Sequence, residues 1–452
     1  MVRRRLAKGA AVIRALLAAG LIAASAVAQD PQAGTRRLTM APDRRVELDL
    51  QHYYTSAELK VALNALSTAY PELLRLESMG KSRGGEELWV MTVAKAGAVD
   101  PAQRPGVFVA GALASHDLFG TELALATILD FAQNTVRDTA LQQLLERATV
   151  YIAPCINPDL RAKVFAQFEG TPAAPVEASA ATAEVDFERN FPMLWDPVQF
   201  ANAGPYPLSA PETRATVEFL LGRPNIAVLQ VFGAASAHGV APAGAGLATD
   251  PAGDVVLHEQ LASALRVVDV GHIAAPEGNL LTFGYEQLGA FSFAFAPEWG
   301  ASAVANELPS GDALLRAAPS ASAVTARLGR SLARLELGEV RVERLKGDQW
   351  QLRIELKNTG ALPTQSARGV ERFACASPKV IVDGARIVDA ALISAAGVGA
   401  LAHPTTSVVT PEIAAQASLS LLLFVEAPAE TTVKLTALAP RAGSAVAEVV
   451  LR

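Results

Sequence analysis

The chain has 452 residues, 51% of them hydrophobic, which is enough for more than one hydrophobic core. Its formal net charge of −6 argues against a nucleic-acid partner and against binding to anionic lipid through bulk charge. The two cysteines, Cys155 and Cys375, are too few for a disulfide scaffold or a cysteine-based metal site. We expect them in different domains as small apolar side chains, and whether they pair stays open.

The first 28 residues have the pattern of a cleavable secretory signal. Five basic side chains accompany the apolar stretch ALLAAGLIAASAV, and the small-residue end Ala26-Val27-Ala28 follows. The alternative is a membrane anchor, but the stretch is shorter than the roughly 20 residues that a span needs. Cleavage removes five positive charges, and the net charge becomes −11. We therefore expect a secreted or periplasmic protein without a membrane span after signal cleavage.

Residues 48–335 alternate between strand-like and helix-like patterns. The patterns predict helices near 56–70, 120–134 and 211–221, and strands at 88–94, 106–111, 148–154 and 226–233. This alternation predicts an α/β domain with a mixed, mostly parallel sheet sandwiched by helices. The Ala/Pro/Thr-rich segment 170–185 reads as a surface insertion.

Residues 338–452 have a different pattern of apolar and polar residues. Short alternating runs such as WQLRIELKN and TTVKLTALAP, separated by turn residues, predict a C-terminal β-sandwich of the immunoglobulin-like type. This domain contains only one histidine, His403, and no cluster of acids, so we expect it to pack on the first domain or to contact a surface or partner.

Several motifs of the first domain resemble those of the zinc metallocarboxypeptidases, the carboxypeptidase A/B-like peptidases. The matching segments, in chain order, are YYTSAELKVALNALSTAYPELLRLESMGKSRGGEELWVMTVA, INPD, DFERNFPMLW, PYPLSAPETRA and FAFAPEWG. The resemblance covers nearly all of 48–305 and implies a carboxypeptidase-like fold. It does not by itself establish activity.

The resemblance implies a zinc ion held by His, Glu and His, with an open position for water. In GALASHDLFGTELALAT, the residues Gly111, Gly120 and Glu122 fix the alignment, so that the first two ligand positions are Ala114 and Asp117. The third ligand position is Phe232. Alanine and phenylalanine cannot donate to zinc, and a single aspartate does not hold the ion against water. We therefore expect no metal and no other cofactor.

A displaced zinc site is the alternative. His116 lies two positions after the first ligand position, and His238 lies six residues after the third, in the segment AASAHGVAPAGAG. Together with Asp117 they could form such a site, in which case zinc would be the cofactor. Otherwise His116 is a turn histidine and His238 an ordinary loop residue.

Glu298, in FAPEWG, occupies the position of the family's catalytic glutamate, which acts as general base and acid. The alternative for Glu298 is a carboxylate at a strand end that pairs with a neighbouring arginine.

The resemblance also indicates substrate-binding residues. Arg189 and Asn190 match the second and third residues of the family's N-R-N motif, but Glu188 replaces the preceding asparagine, which in the family helps to bind the terminal carboxylate. A second substrate arginine has no clear counterpart, since only Arg161 follows INPD before the insertion. Tyr285 resembles a mobile tyrosine of the substrate pocket loosely, and a core or rim tyrosine is the alternative.

The sequence therefore favours an exported pseudoenzyme that retains the fold and a cleft for a peptide or peptidoglycan-type ligand. The first alternative is an active metallocarboxypeptidase with a displaced zinc site. The second is a structural or adhesive surface protein that acts through its C-terminal sandwich.

Overall fold

The computed structural model describes residues 46–97, 99–113, 118–168, 185–233, 239–243, 250–265, 279–297, 309–395 and 397–452. The signal and the surface insertion predicted from the sequence lie outside these residues, apart from Val185 at the end of the insertion. Within them, no helix is long and apolar enough to cross a bilayer. Cys155 is buried, Cys375 is half-buried, and the two thiols are not joined.

A mixed sheet forms the centre of the first domain. Its strands are β1 (Leu74–Lys81), β2 (Glu87–Val93), β3 (Gly106–Gly111), β4 (Thr149–Ala153), β5 (Ile226–Phe232), β6 (Gly239–Ala243) and β7 (Phe291–Ala296). In the spatial order β1-β2-β4-β3-β5-β7-β6, the four strands β4, β3, β5 and β7 are parallel. The predicted α/β class and the four predicted strands are confirmed, while β1 was not predicted.

Helices cover both faces of this sheet. They are α1 (Ser56–Ala69), α2 (Gly120–Asn134), α3 (Thr139–Arg147), α4 (Pro158–Phe168), α5 (Pro211–Leu221), α6 (Ala252–Ala264), α7 (Leu280–Glu286) and α8 (Gly311–Ser331). Alternate side chains of each strand point to opposite faces, so the sheet separates two hydrophobic cores. Val107 and Val109 belong to one core, and Phe108 and Ala110 belong to the other.

Helix α1 shows how closely the local sequence determines an element. Thr55 is its N-cap, and Glu58 completes a capping box by accepting a bond from the Thr55 backbone N–H at 2.9 Å. Its residues Leu59, Ala62, Leu63 and Leu66 are buried.

The C-terminal region is a sandwich of two antiparallel sheets, as predicted. Its strands are β8 (Leu335–Arg344), β9 (Gln349–Asn358), β10 (Lys379–Asp383), β11 (Arg386–Ser394), β12 (Gly397–Ala400), β13 (Ser407–Val409), β14 (Ala417–Glu426), β15 (Thr432–Ala439) and β16 (Gly443–Val450). One sheet has the order β12-β11-β14-β9-β8 and the other β13-β10-β15-β16. Side chains of both sheets, including the fully buried Trp350, share one core. The predicted domain limits, 48–335 and 338–452, stay a prediction; α8 ends at Ser331 and β8 begins at Leu335.

The sandwich docks at the edge of the mixed sheet where the parallel strands begin, which we call the amino edge. Arg441 is 3% exposed and donates to the carbonyl oxygens of Pro224 (3.2 Å), Gly289 (3.0 Å) and Leu288, in the segments that lead into β5 and β7. The short helix α9 (Ala367–Glu371) also packs here, and a Cβ atom at Gly289 would lie 2.2 Å from Cα of Gly369. The two domains are therefore in direct backbone contact.

We expect Arg441→Met to lower the free energy of unfolding by about 3 kcal/mol, because it leaves buried carbonyl groups without a donor. Urea denaturation followed by circular dichroism measures this change. Arg452→Met is the matched control, since the Arg452 side chain is 73% exposed and pairs with the surface residue Glu430. Equal stability of the two variants would contradict a role for Arg441 in docking.

Candidate functional site

The ends of β3, β5 and β7 lie side by side at what we call the carboxyl edge of the sheet. Gly111 pairs with Phe232, and Phe232 pairs with Phe295. Functional groups of such sheets gather where parallel strands end. Three of the predicted site positions, 114, 117 and 298, follow β3 or β7 within six residues, and the fourth, 232, is the last residue of β5.

Two glycines allow the backbone to close at this edge. A Cβ atom at Gly120 would lie 2.5 Å from the carbonyl oxygen of Phe232, and one at Gly111 would lie 2.5 Å from the carbonyl oxygens of Gly120 and Pro154. Any other residue would therefore force β3, α2 and β5 apart. The glycines that fixed the sequence alignment are thus required by the backbone packing itself.

Phe232 is part of the hydrophobic core. Its side chain is 0% exposed and meets Phe295 edge to face, with ring centroids 6.1 Å apart. Zinc binds nitrogen, sulfur or oxygen donors, and this ring offers none. The described part of the predicted metal site therefore does not fit zinc.

The other predicted metal-site residues lie outside the described residues: Ala114, His116, Asp117 and His238. Glu298, the predicted catalytic glutamate, lies outside them too. Across the described ranges, no group of three or more His, Cys, Asp or Glu side chains can hold a metal ion. The displaced-site alternative stays a prediction.

A buried ion pair holds the start of α2 near this edge. Arg161 is 0% exposed and contacts the Glu122 carboxylate, and it also donates to the carbonyl oxygens of Leu118 and Tyr54, each at 2.8 Å. Glu122 in turn accepts a bond from the Tyr54 backbone N–H at 3.0 Å. These contacts engage Arg161 within the scaffold, so it does not supply the missing substrate arginine.

The sequence analysis did not identify this ion pair, although a signal was present. On α4, Arg161 is followed three and four residues later by the buried Val164 and Phe165, so it falls on the apolar face of the helix. A charged residue on such a face requires a buried partner.

Arg189 is held by two neighbours. Its Nε atom lies 3.2 Å from Oδ2 of Asp186, and its guanidinium group stacks over the Phe200 ring at 3.7 Å from the centroid. Burial, and then the negative charge of Asp186, raise the pKa of the Glu188 carboxyl to about 7, while Arg189 acts in the opposite direction. Glu188 is therefore partly protonated near neutral pH, and its repulsion of a ligand carboxylate is weaker there than a full charge would give.

The side chain of Asn190 holds the loop that follows it in place through hydrogen bonds. The side chain is 0% exposed and donates to the carbonyl oxygen of Ala203 at 2.7 Å. Its own oxygen accepts bonds from the Thr213 hydroxyl at 2.8 Å and the Ala210 N–H at 3.1 Å. These bonds account for the burial of Asn190 without a ligand, and its role in substrate binding stays a prediction.

Tyr285 lies under the C-terminal domain. It is 0% exposed, its hydroxyl lies 3.2 Å from Oδ2 of Asp254, and its ring meets His258 edge to face at 5.0 Å. The guanidinium group of Arg368, from the second domain, lies 5.9 Å from the ring centroid. A substrate-binding role for Tyr285 stays a prediction, and it would require this interface to open.

Two of the matched motifs hold the turn before β2. Asp159 of INPD accepts bonds from the Ser82 hydroxyl (2.7 Å) and the Gly84 N–H (2.6 Å). Glu212 of the APET segment is buried and accepts a bond from the Arg83 N–H at 2.7 Å. These carboxylates fix the turn GKSRGG against α4 and α5, so both motifs have a structural role here.

Comparisons with known sequences agree with this picture. Residues 59–252 match a family model described as zinc carboxypeptidase, and residues 334–450 match a domain of unknown function. The chain is 24% identical to human carboxypeptidase D over 196 residues, which is 43% of this chain and 13% of that protein. It is 26% identical to carboxypeptidase B of Astacus astacus over 176 residues, covering 37% of this chain and 56% of that protein. The chain thus spans only part of the length of these relatives.

Solved structures share the fold at low sequence identity. Thrombin activatable fibrinolysis inhibitor superimposes with a TM-score of 0.54 at 17% identity, covering 64% of this chain and 77% of that one. Carboxypeptidase A from Helicoverpa armigera gives 0.51 at 18% identity, covering 70% and 79%. The predicted carboxypeptidase-like fold is confirmed. Residues 59–252 therefore resemble the zinc carboxypeptidase family in sequence, and the first domain has a carboxypeptidase-like fold that a C-terminal β-sandwich follows.

Proposed function

We propose that this protein is an exported, non-catalytic relative of the zinc carboxypeptidases that binds a peptide or peptidoglycan-type ligand at the carboxyl edge of its sheet. The observation that carries the proposal is the burial of Phe232 against Phe295 at the end of β5. The resemblance implies a zinc-binding histidine at this position, whereas the phenylalanine ring completes the hydrophobic core.

The residues at the other two predicted ligand positions also argue against zinc binding. Ala114 has no donor atom, and Asp117 is one methylene shorter than the family's glutamate. Two imidazoles normally supply much of the zinc affinity of a His/carboxylate site. Without zinc, neither a water of lowered pKa nor an electrophile for the peptide carbonyl is available at these positions.

The negative charge of Glu188 limits the kind of ligand that the carboxyl edge can bind. Where the resemblance implies an asparagine for the terminal carboxylate, the chain has a carboxyl that ionises near pH 7. An ionised Glu188 repels a carboxylate by about 4 kcal/mol at 4 Å for an effective dielectric constant near 20. The ligand that fits best therefore lacks a free terminal carboxylate at this point, as an internal peptide segment or an amidated end does.

The first prediction from this proposed function concerns zinc binding and peptide hydrolysis. We expect the purified full-length protein, incubated with zinc and then desalted, to retain far less than one zinc ion per chain. We also expect no chelator-sensitive release of C-terminal residues from peptides. Elemental analysis and a peptide hydrolysis assay measure these two quantities.

The double variant His116→Ala/His238→Ala is the control for the displaced-site alternative. Tightly held zinc at one ion per chain, lost in the double variant, would establish the displaced site and refute the proposal. Chelator-sensitive turnover would refute it as well.

The second prediction concerns the ligand. Since the pKa of Glu188 is about 7, the carboxyl is neutral at pH 5.5 and charged at pH 8.5. We expect peptides with a free C-terminal carboxylate to bind at least about tenfold more weakly at pH 8.5 than at pH 5.5. Isothermal titration calorimetry with matched carboxylate and amide forms of each peptide measures this difference.

Glu188→Gln is the matched variant, and it should remove the pH dependence for the carboxylate form. The amide form of each peptide should bind equally at both pH values. If neither the peptides nor soluble peptidoglycan fragments bind at any pH, the proposed ligand-binding role is wrong.

The third prediction concerns export. We expect the protein recovered outside the cytoplasm to begin at Gln29, after the Ala26-Val27-Ala28 end of the signal. Cell fractionation followed by amino-terminal sequencing tests this, and an intact amino terminus on a cytoplasmic protein would contradict it.

A further inference from the structure

The strand β12 forms one edge of the five-stranded sheet in the C-terminal sandwich. Within the described residues it is hydrogen-bonded to β11 on one side, and no strand covers its other side. All four of its residues, Gly397 to Ala400, are exposed. The unpaired backbone N–H and C=O groups of such an edge can pair with a further strand. The function proposed above does not involve this surface, which belongs to the second domain.

The pairing register shows which backbone groups of β12 point outwards. The Leu401 N–H donates to the carbonyl oxygen of Ala390 at 2.8 Å, so these two residues form a hydrogen-bonded pair. Hydrogen-bonded and non-hydrogen-bonded pairs alternate along an antiparallel ladder. Gly399, two residues before Leu401, therefore directs its N–H and C=O groups towards β11, whereas Val398 and Ala400 direct theirs away from it. These outward groups face no other strand of the described residues.

The outer face of the sheet is apolar beside this edge. Val398 is 66% exposed and pairs with the half-buried Ile393 of β11. Along the same row of neighbours the next residue is Ser420 of β14, and the first charged side chain is Glu355 of β9, three strands from the edge. A strand added beyond β12 would place a side chain beside Val398 and remove apolar surface from water.

The sequence around this edge carries no charge. Residues 391–402 read ALISAAGVGALA, without a charged side chain or a proline. Proteins protect open edges with such residues, as the edge strand β8 does with Arg341 and Glu343. A charged peptide would find no counter-charge at β12, whereas a second copy of the same uncharged segment meets no repulsion there. The chemistry of the edge therefore fits a second copy of this chain.

We propose that β12 pairs with β12 of a second copy of this chain, antiparallel and around a two-fold axis at Gly399. Val398 then lies opposite Ala400 of the second copy, and Ala400 lies opposite its Val398. This register pairs the outward N–H and C=O groups of both residues in each copy, and it places the two glycines opposite each other on the axis. The two five-stranded sheets become one continuous sheet, and each Val398 gains a neighbouring strand.

Sedimentation velocity of the full-length protein over a range of concentrations tests the dimer. We expect wild type to change from monomer to dimer as its concentration rises. Val398→Pro removes an outward N–H group and leaves the bonds to β11 intact. It should raise the dissociation constant of the dimer at least about tenfold, because the two-fold axis makes each loss of a hydrogen bond occur twice.

Val398→Lys is a second variant, which places like charges near each other across the axis and should also favour the monomer. Val446→Lys is its matched control, because Val446 is 56% exposed on β16, at an edge of the other sheet. We expect this control to dimerise as wild type does. Either Val398 variant suffices, so the test does not depend on the folding of one protein.

A disulfide cross-link tests the register. In the proposed pair the two Gly399 residues are a non-hydrogen-bonded pair with Cα atoms about 4.5 Å apart, a separation that a disulfide spans. A Cβ atom at Gly399 would have no heavy atom within 4 Å, so a cysteine fits there without displacing its neighbours. We expect Gly399→Cys to form a disulfide-linked dimer in air on a non-reducing gel, and the control Val446→Cys to remain largely monomeric.

Three results would each overturn the proposal. The first is a wild type that stays monomeric at every concentration. The second is a dimer whose dissociation constant the folded Val398 variants leave unchanged, since the copies would then meet at another surface. The third is a Gly399→Cys protein that cross-links no more than Val446→Cys does.

Discussion

The close backbone contact at the carboxyl edge is the constraint on which the rest of the first domain depends. Gly111 ends β3, Gly120 begins α2, and the carbonyl oxygen of Phe232 ends β5, all within a space that admits no Cβ atom. This contact sets how far α2 lies from the sheet, and thereby the depth of the hydrophobic core between them. It involves backbone atoms and glycine, so it is independent of any metal. The side chains around it can therefore change while the fold is kept.

In the matched motifs, too, the residues that stabilise the fold are distinct from those that would bind zinc. Asp159 and Glu212 hold a turn by accepting backbone N–H groups, and Asn190 holds the loop after it. Each of these polar groups is satisfied within the chain, and losing one would leave a buried donor or acceptor unpaired. Selection for folding alone is enough to keep such residues. Their presence therefore indicates a carboxypeptidase-like fold, and it says nothing about zinc.

The sequence predicted the elements whose signals are local. The capping box of α1, the apolar runs of β3 and β5, and the alternation in the sandwich each depend on neighbouring residues. It did not predict β1, which among the described residues lies at the edge of the sheet and pairs with β2. Nor did it predict contacts such as those of Arg161 with Glu122 or Arg368 with Asp250, since partners 39 and 118 residues apart leave no periodic pattern. For the site, the sequence predicted which positions matter, but it could not show that Asn190 and Arg161 are engaged within the scaffold.

The attachment of the sandwich at the amino edge also has a mechanical consequence. Arg441 contacts the chain just before β5 and just before β7, two parallel strands that are hydrogen-bonded to each other. A pulling force applied to the sandwich would enter the sheet at these two strand ends and act along the strand axes. Because β5 and β7 are held at the same end, they would share the load, and the hydrogen bonds to the flanking strands β3 and β6 would be loaded in shear. A protein anchored through its C-terminal domain would thus transmit tension into the mixed sheet, with the carboxyl edge facing away from the anchor.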